Sequence, residues 1–355
     1  MKPKIQMTMA KKLKIAITGL NAIDSPGPGV AVARGLKEAT SFDASIIGLS
    51  YESLEPGIYL HDLFDKSYQI PYPSVGTGNL LERIEYIHSI ENLDVIIPNF
   101  DAELYPFIKL EDKLKEMGIK TFLPTMEQFE ERHKVNLDSF GEKYDIKVPK
   151  SKAVMDAGEI YSLHNEFTYP LVVKGKYYDA YIAHNPQQAA TFFHKISAKW
   201  GLPIIIQQFI KGSEYNVTGL GDGKGNRIAA VPMRKQYITD KGKAWGGISI
   251  NDEKMLELTD HFLTSTKWRG PFELELMKDA EGDFYLMEIN PRMPAWIYLA
   301  VGTGQNIPEA LTNLALGKEV EPFDSFATSK MFIRYSWDMI VDISEFEKIS
   351  SLGEL

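Results

Sequence analysis

Short apolar runs alternate with longer amphipathic segments over the first third of the chain. The runs KLKIAITGL (residues 12–20), DASIIGLS and LDVIIPNF have the length and β-branched content of buried strands. The segments VAVARGLKEA, NLLERIEYIHSI and LYPFIKLEDKLKEMG lie between or after them and carry apolar residues at helical spacing. Strands that alternate with helices indicate a parallel sheet, so residues 1–125 are predicted to form an α/β domain.

The pattern changes at about residue 126. A helical pair is predicted in MEQFEERHKVNLDSFGEKYDIKVPK, and it leads into the strand-like runs YPLVVKGK, LPIIIQQFI, EYNVTGLGD and RIAAVPMRKQYI. Helical spacing recurs at 186–199, 252–267 and 307–316. This order predicts a second, α+β domain that begins at about residue 126.

The run FELELMKDAEGDFYLMEIN predicts an antiparallel hairpin. A two-residue turn at 281–282 would place Glu275 opposite Glu288 and Glu273 opposite Asn290. Period-2 alternation would put all four side chains on one face. The next residues, PRMPAW, place a guanidinium directly after that face.

Opposed carboxylates repel each other unless one is protonated or a cation lies between them. Carboxylate and carboxamide oxygens suit a hard cation, so Mg²⁺ or Mn²⁺ is the leading hypothesis. The alternative is a solvated hairpin face. That alternative is weak for Glu288, which has apolar neighbours on both sides, and it is evenly balanced for Glu273.

The net charge, the lack of cysteine and the N-terminal residues limit the functional classes to which the protein could belong. The formal charge of −9 opposes binding to nucleic acid or to anionic lipid. The chain has no cysteine, which excludes a thiolate nucleophile and a thiolate metal site. The basic N-terminus has a short alternating apolar run without the core of a signal peptide, so we expect a cytoplasmic protein.

A magnesium site that bridges phosphates needs cations nearby. Lys174 ends the strand-like run YPLVVKG, Lys134 lies in RHKVNLDSF, and Glu214 follows a turn at Gly212. Taken singly, Lys174 is better explained as a lysine at a strand end that extends to solvent, and Lys134 as a charge on a helix surface. Glu214 is equally well explained as a solvent-facing acid in a turn. The turn at 27–29 lacks the third glycine of a dinucleotide fingerprint, which argues against NAD.

Taken together and in this order, these residues resemble the ATP-grasp superfamily, especially its carbamoyl-phosphate-synthetase-like and carboxylate–amine ligase branches. The similarity covers roughly residues 12–320, and MEINPR after ELELMKD is its most specific part. The resemblance implies an N-terminal Rossmann-like (pre-ATP-grasp) domain followed by a two-lobed ATP-grasp domain with its metal site in the larger lobe. It would place the first domain at 1–125, the small lobe at 126–210, the large lobe at 211–325 and a C-terminal segment at 326–355.

The resemblance also assigns roles to single residues. Metal ligands would be Glu275, Glu288 and Asn290; phosphate contacts would be Lys134, Lys174 and Arg292, with Lys174 and Arg292 acting in catalysis; nucleoside contacts would be Gln207, Gln208, Ile210 and Glu214. Arg234, Lys235 and Lys243 are weaker candidates, since an exposed basic loop explains them equally well. Trp296 would wall a substrate pocket or, as is more frequent, pack in a core.

The implied reaction uses ATP and Mg²⁺ (or Mn²⁺) to join a small carboxylate to an amine through an acyl phosphate, with no nucleic acid or membrane partner. Dimers are common in the family, so a homodimer is one expectation. Departures from the pattern are Gln207 in place of Glu, and the bulky pair Tyr177–Tyr178 in the loop after Lys174. Two alternatives stay open: carbamoyl or carboxyphosphate chemistry on bicarbonate, and a nucleotide-binding regulator without turnover.

Overall fold

The computed structural model describes residues 12–23, 25–176, 179–239 and 242–355. In this part of the chain the strands form three sheets: a four-stranded N-terminal sheet, a four-stranded small sheet and a six-stranded large sheet. The mixture of α/β and α+β architecture agrees with the fold class that the sequence predicts.

The N-terminal sheet is parallel and has helices on both faces. Its elements are β1 (Leu13–Ile17), α1 (Pro28–Lys37), β2 (Ala44–Ser50), β3 (Lys66–Gln69), α2 (Thr77–Glu91), β4 (Val95–Ile97) and α3 (Asp101–Glu116). The strand order is β3-β2-β1-β4, and each pair is parallel. The predicted alternation of strands and helices is confirmed. Strand β3 was missed because its sequence, KSYQ, is short and polar.

The glycines of the turn before α1 serve close packing. A Cβ atom added to Gly29 would lie 2.2 Å from the carbonyl oxygen of Thr18, and one added to Gly27 would lie 2.5 Å from the carbonyl oxygen of Gly19. No larger residue fits this approach of α1 to the end of β1. Close packing of α1 against the end of β1 therefore explains the glycines of this turn.

The small sheet follows the predicted helical pair. Its elements and the helices around it are α4 (Met126–Glu131), α5 (Leu137–Tyr144), β5 (Ser151–Val154), β6 (Leu171–Gly175), β7 (Ala180–Ala183), α6 (Pro186–Trp200) and β8 (Ile204–Gln208). The strand order is β5-β8-β6-β7, with antiparallel pairing. Helix α6 buries Phe193 and Ile196 against this sheet, and the side chain of Asn185 caps its first turn.

The large sheet is antiparallel and contains the predicted hairpin. Its elements and the helices around it are β9 (Ser213–Asp222), β10 (Arg227–Ile238), β11 (Ala244–Ser249), α7 (Glu253–Thr266), β12 (Arg269–Lys278), β13 (Phe284–Asn290), α8 (Tyr298–Gly302), α9 (Ile307–Ala315), β14 (Met331–Ile333) and α10 (Ile343–Leu352). The strand order is β13-β12-β9-β10-β11-β14. One face packs on α5 and α7 around the buried rings of Phe262, Trp268 and Phe272.

The N-terminal sheet and the large sheet share a hydrophobic core. Val32 of α1 lies in the same cluster as Leu220 and Val231 of the large sheet and Leu311 of α9. The C-terminal segment strengthens this connection, because β14 extends the large sheet while the backbone of Leu355 exchanges two hydrogen bonds with Ser67 of β3, at 2.8 and 2.9 Å. Within the described ranges, no helix is long and apolar enough to cross a membrane.

Candidate active site

Strands β12 and β13 pair in the register that the sequence predicts, although the turn differs. Glu275 lies opposite Glu288, and Glu273 lies opposite Asn290. The predicted turn at 281–282 is wrong in length, since the pairing of Lys278 with Phe284 leaves residues 279–283 between the strands. A β-bulge beside Glu275 adds one residue to β13 and restores the predicted register.

Glu273 is buried and binds three side chains that come from different elements. It accepts hydrogen bonds from Asn216 Nδ2 (2.8 Å), Trp296 Nε1 (2.6 Å) and Asn290 Nδ2 (3.1 Å). Only 7% of its side chain is exposed. Burial, and then the charge of Glu275, raise its pKa. The solvated alternative for Glu273 is therefore wrong, and the indole of Trp296 both packs in a core with Met233 and holds this carboxylate.

The carboxamide of Asn290 has a defined orientation. Its Nδ2 donates to Glu273 Oε2 and to Glu275 Oε1, each at 3.1 Å. Because the nitrogen is held by two carboxylates, the oxygen faces away from them and is free to act as a ligand. Among the described residues, no three His, Cys, Asp or Glu side chains converge as a metal site on their own. The predicted set fits a hard cation only with the Asn290 oxygen beside Glu275 and Glu288.

Two lysines from different elements reach the same acidic face. Lys134, in a short 3-10 turn between α4 and α5, places Nζ 3.0 Å from Glu288 Oε2. Lys174, at the end of β6, has a pKa lowered to about 8 by burial and by the charge of Lys134, against the opposing effect of Glu288. Burial likewise raises the pKa of Glu288. The small sheet and the hairpin therefore bring together groups that burial pushes toward neutrality.

The basic stretch in β10 and β11 contributes one residue to this face. Lys235 Nζ lies 2.8 Å from Glu214 Oε2 and 3.9 Å from Glu275 Oε2. Burial lowers the pKa of Lys235, but the two carboxylates outweigh it and raise the pKa. Arg234 and Lys243, by contrast, are exposed, which agrees with the alternative explanation that they belong to an exposed basic stretch.

Arg292 connects the acidic face to the N-terminal sheet. Its Nε donates to Asp101 Oδ2 at 2.8 Å, and its Nη1 lies 3.6 Å from Glu273 Oε2. Arg132 Nη1 lies 3.2 Å from the other oxygen of Asp101. Burial raises the pKa of Asp101, but Arg292 and Arg132 outweigh it and hold the pKa below its ordinary value. Asp101 and Arg132 were missed, because an acid in the first turn of a helix also interacts favourably with the helix dipole without any partner.

The end of β8 and the residues that follow it leave polar groups without partners among the described residues. Gln207 is 2% exposed, and its Oε1 is buried with no hydrogen-bond partner among the described residues. Ile210 is 8% exposed, and no described residue accepts a hydrogen bond from its N–H. The N–H of Gln208 donates to the carbonyl of Lys150 at 2.8 Å. Buried unpaired groups are costly, so this edge fits a polar ligand.

The loop that follows Lys174 is incompletely described. Tyr177 and Tyr178, which depart from the expected pattern, lie outside the described residues. Of the predicted residues, Lys134 contacts Glu288, Arg292 lies near Glu273, and Lys235 connects Glu214 to Glu275.

The chain is similar to several known proteins. A family model described as ATP-grasp in the biosynthetic pathway with Ter operon matches residues 202–336. The carbamoyl phosphate synthase large chain of Clostridium acetobutylicum is 23% identical over 283 residues, which are 73% of this chain and 25% of that protein. The D-alanine–D-alanine ligase of Pseudomonas entomophila is 21% identical over 160 residues, 41% of this chain and 49% of that protein. The chain is therefore similar to ATP-grasp proteins, most directly over residues 202–336.

Solved structures with a similar fold cover more of the chain than the family model does. The biotin carboxylase domain of Hydrogenobacter thermophilus 2-oxoglutarate carboxylase, solved as a dimer with MgADP and bicarbonate, has a TM-score of 0.70 at 16% identity. The match covers 90% of this chain and 73% of that chain, and it concerns the fold. The matched part of the chain spans about a quarter of the carbamoyl phosphate synthase large chain and about half of the D-alanine–D-alanine ligase.

Proposed function

We propose that this protein is an ADP-forming ATP-grasp ligase that joins a small carboxylate to an amine. The observation that carries the proposal is the acidic face of β12 and β13, where Glu275 and Glu288 lie opposite each other beside Lys134 and Lys174. Burial raises the pKa values of Glu273 and Glu288 on this face and lowers the pKa of Lys174 to about 8, which indicates a site built for ligands of both charges. A divalent cation would bind the acidic side chains of this site, and a polyphosphate would bind its lysines.

In this proposal the nucleotide lies between the small sheet and the large sheet. The Gln207 carbonyl, the N–H of Ile210 and the main chain of Gln208 contact adenine, and Glu214 accepts hydrogen bonds from the ribose. Lys134 and Lys174 hold the phosphates. The position of Lys174 supports this role, because it lies on β6, the strand that pairs with β8, which carries Gln207 and Gln208.

Glu275, Glu288 and the oxygen of Asn290 would hold the magnesium, or manganese, that accompanies ATP. The bound cation neutralises phosphate oxygens in such sites. In this arrangement Glu273 orients the ligand amide, while Arg292 faces the transferring group, held by Asp101. The donor set of two carboxylates and a carboxamide oxygen fits a hard cation and includes no soft ligand.

The proposed chemistry has two steps. An oxygen of the substrate carboxylate attacks the γ-phosphorus of ATP, ADP leaves, and an acyl phosphate forms. The amine nitrogen then attacks the acyl carbon, phosphate leaves, and the amine loses a proton to give the amide. Lys174 and Arg292 stabilise the charge that develops on the transferred oxygens, and positioning supplies much of the rate.

The proposal extends to domain roles. Residues 1–125 would be the Rossmann-like pre-ATP-grasp domain, residues 126–210 the small lobe with the hinge strand, and residues 211–325 the large lobe with the metal site. Residues 326–355 would be a C-terminal segment. The three sheets and the parallel order of the first one support this division. A homodimer is part of the proposal by analogy with the carboxylase domain.

A screen with hydroxylamine as a surrogate amine tests the proposal. Carboxylic acids are incubated with protein, ATP, Mg²⁺ and hydroxylamine, and hydroxamate and ADP are measured together. Equal, carboxylate-dependent formation of both is expected. Saturable ATP binding without ADP for any acid and amine would contradict the ligase and would favour a regulator.

Bicarbonate chemistry is the second candidate function. It is favoured by the carbamoyl phosphate synthase match, which covers more of the chain than the ligase match. Under this hypothesis, bicarbonate alone stimulates ADP formation and other carboxylates do not. The same assay, run in carbonate-free buffer with and without added bicarbonate, separates the two candidates.

A further inference from the structure

Strand β14 carries a second arginine toward the site. It pairs with β11 at the edge of the large sheet, with Met331 and Ile333 exposed and Phe332 packed against Met233 and Trp296. Alternation along the strand places Arg334 on the same inner face as Phe332, and its Cζ lies 5.6 Å from the centre of that ring. Arg334 is thus on the side of the sheet that carries Trp296 and Glu273.

Arg334 also contacts the N-terminal part of the chain. Arg334 Nη1 donates to the hydroxyl of Ser25, which lies in the turn between β1 and α1 and is 8% exposed. The backbone N–H of Arg334 is already bound to the carbonyl of Trp245. The guanidinium therefore lies beside the turn between β1 and α1, where the charge of Glu273 also acts on it.

Arg334 differs from Arg292 in how its charge is balanced. Arg292 has the carboxylates of Asp101 and Glu273 within 4 Å. Across the described part of the chain, no carboxylate lies within 4 Å of Arg334, and its partners are a hydroxyl and an aromatic ring. Burial lowers its pKa to about 10, and the charge of Glu273 opposes this shift. A partly buried guanidinium without a counter-ion is costly unless a ligand supplies one.

We propose that Arg334, with Ser25, binds a carboxylate that a substrate carries in addition to the carboxylate that is phosphorylated. The planar fork of arginine matches a carboxylate bidentately. The Ser25 hydroxyl accepts from Arg334 and keeps its own hydrogen free to donate to the same anion. This inference rests on the proposed function for the location of the reacting carboxylate.

Two kinds of substrate could carry this additional carboxylate. Either the carboxylic acid is a dicarboxylate, whose far end Arg334 binds, or the amine is an amino acid, whose carboxylate Arg334 binds. Both sources present the same chemistry to the guanidinium. The two matched pairs of probes below distinguish them.

The test compares each acid with its neutral amide. Succinate against succinamate probes the dicarboxylate source, and L-alanine against L-alaninamide probes the amino-acid source. Binding is measured by the shift of melting temperature without ATP, and kcat/KM is measured with ATP and Mg²⁺. Wild-type protein should prefer the acid over the amide in one pair by about 10- to 100-fold, and Arg334→Met should abolish that preference. Arg334→Lys should keep part of it.

Arg83→Met is the matched control for a merely structural role. Arg83 also ties the C-terminal segment to the first domain, through Gly353 O (2.7 Å) and Gln69 O (2.8 Å), far along the chain from Ser25. It should leave the acid preference unchanged, and ATP affinity should stay the same in both variants. Acid preference retained in Arg334→Met, lost equally in Arg83→Met, or absent from wild type in both pairs would overturn the proposal. Acid-selective binding without ADP formation would keep it and remove the ligase hypothesis instead.

Discussion

Arg292 donates to Asp101 across the boundary between the large sheet and the N-terminal domain, with Nε 2.8 Å from Oδ2. Asp101 is the first residue of α3, and Arg132 Nη1 lies 3.2 Å from its Oδ1. The guanidinium proposed to face the transferring phosphoryl group is therefore positioned by a carboxylate from another domain. A change in the packing of the first domain would move Arg292 directly.

Asp101→Asn should lower kcat by about 10- to 100-fold. The neutral amide of asparagine holds the guanidinium of Arg292 less firmly than the carboxylate does, so Arg292 is less well positioned. ATP affinity should change little, since Asp101 contacts no nucleotide group in the proposal. Steady-state kinetics and equilibrium ADP binding check this. Glu111→Gln is the control, because the Glu111–Arg269 pair (2.7 Å) also joins α3 to the large sheet but contacts none of the proposed site residues. Equal losses in both variants would assign Asp101 to domain packing alone.

Glu288→Gln should abolish amine-dependent ADP formation while the protein stays folded. The neutral amide removes one anionic ligand and the partner of Lys134, yet burying it costs less than burying a carboxylate. ADP release and the melting temperature are measured on the same preparation. Glu281→Gln, in the exposed loop of the hairpin, is the matched variant and should keep full activity. Unchanged turnover in Glu288→Gln would exclude a metal role for Glu288.

Glu273→Gln should weaken the response to Mg²⁺ without removing a ligand. Glu273 holds the Asn290 nitrogen, so its loss lets the ligand amide rotate. Groups that orient metal ligands typically contribute about 10- to 100-fold in metal affinity. The Mg²⁺ concentration that gives half-maximal ADP formation should rise accordingly, with the maximum rate partly recovered at high Mg²⁺. A loss of rate that Mg²⁺ does not recover would assign Glu273 to another role.

The sequence predicts this site well where local periodicity controls it. Alternation and pairing gave the register of Glu275 and Glu288, because one face of the hairpin is apolar and a slip would reverse every side chain. The turn was wrong because a five-residue loop and a bulge produce the same pairing as a two-residue turn. Asp101 and Arg334 were not found, since their partners lie far away in sequence and only the tertiary fold brings them together.

Nucleotide affinity should fall as the pH rises above about 8. Burial lowers the pKa of Lys174 to about 8, so the free protein has this lysine charged below that pH and neutral above it. Phosphates bind the charged form, so affinity for MgATP should decrease by up to about tenfold per pH unit between pH 8 and pH 10. Lys174→Arg keeps its charge and should flatten this dependence. Titrations at several pH values that show constant wild-type affinity from pH 7 to pH 9.5 would contradict the assignment.

Gln207→Leu should weaken ADP binding while leaving kcat nearly unchanged. The buried Oε1 of Gln207 has no partner among the described residues, and in the proposal it accepts a hydrogen bond from the adenine amino group. Losing that bond should raise the Kd for ADP about 5- to 10-fold, the effect of one neutral hydrogen bond. The control is the adjacent Gln208→Leu, whose side chain is exposed and which is proposed to act through its main chain. Calorimetric titration with ADP should separate the two variants. Equal affinities in both would place the adenine away from this strand.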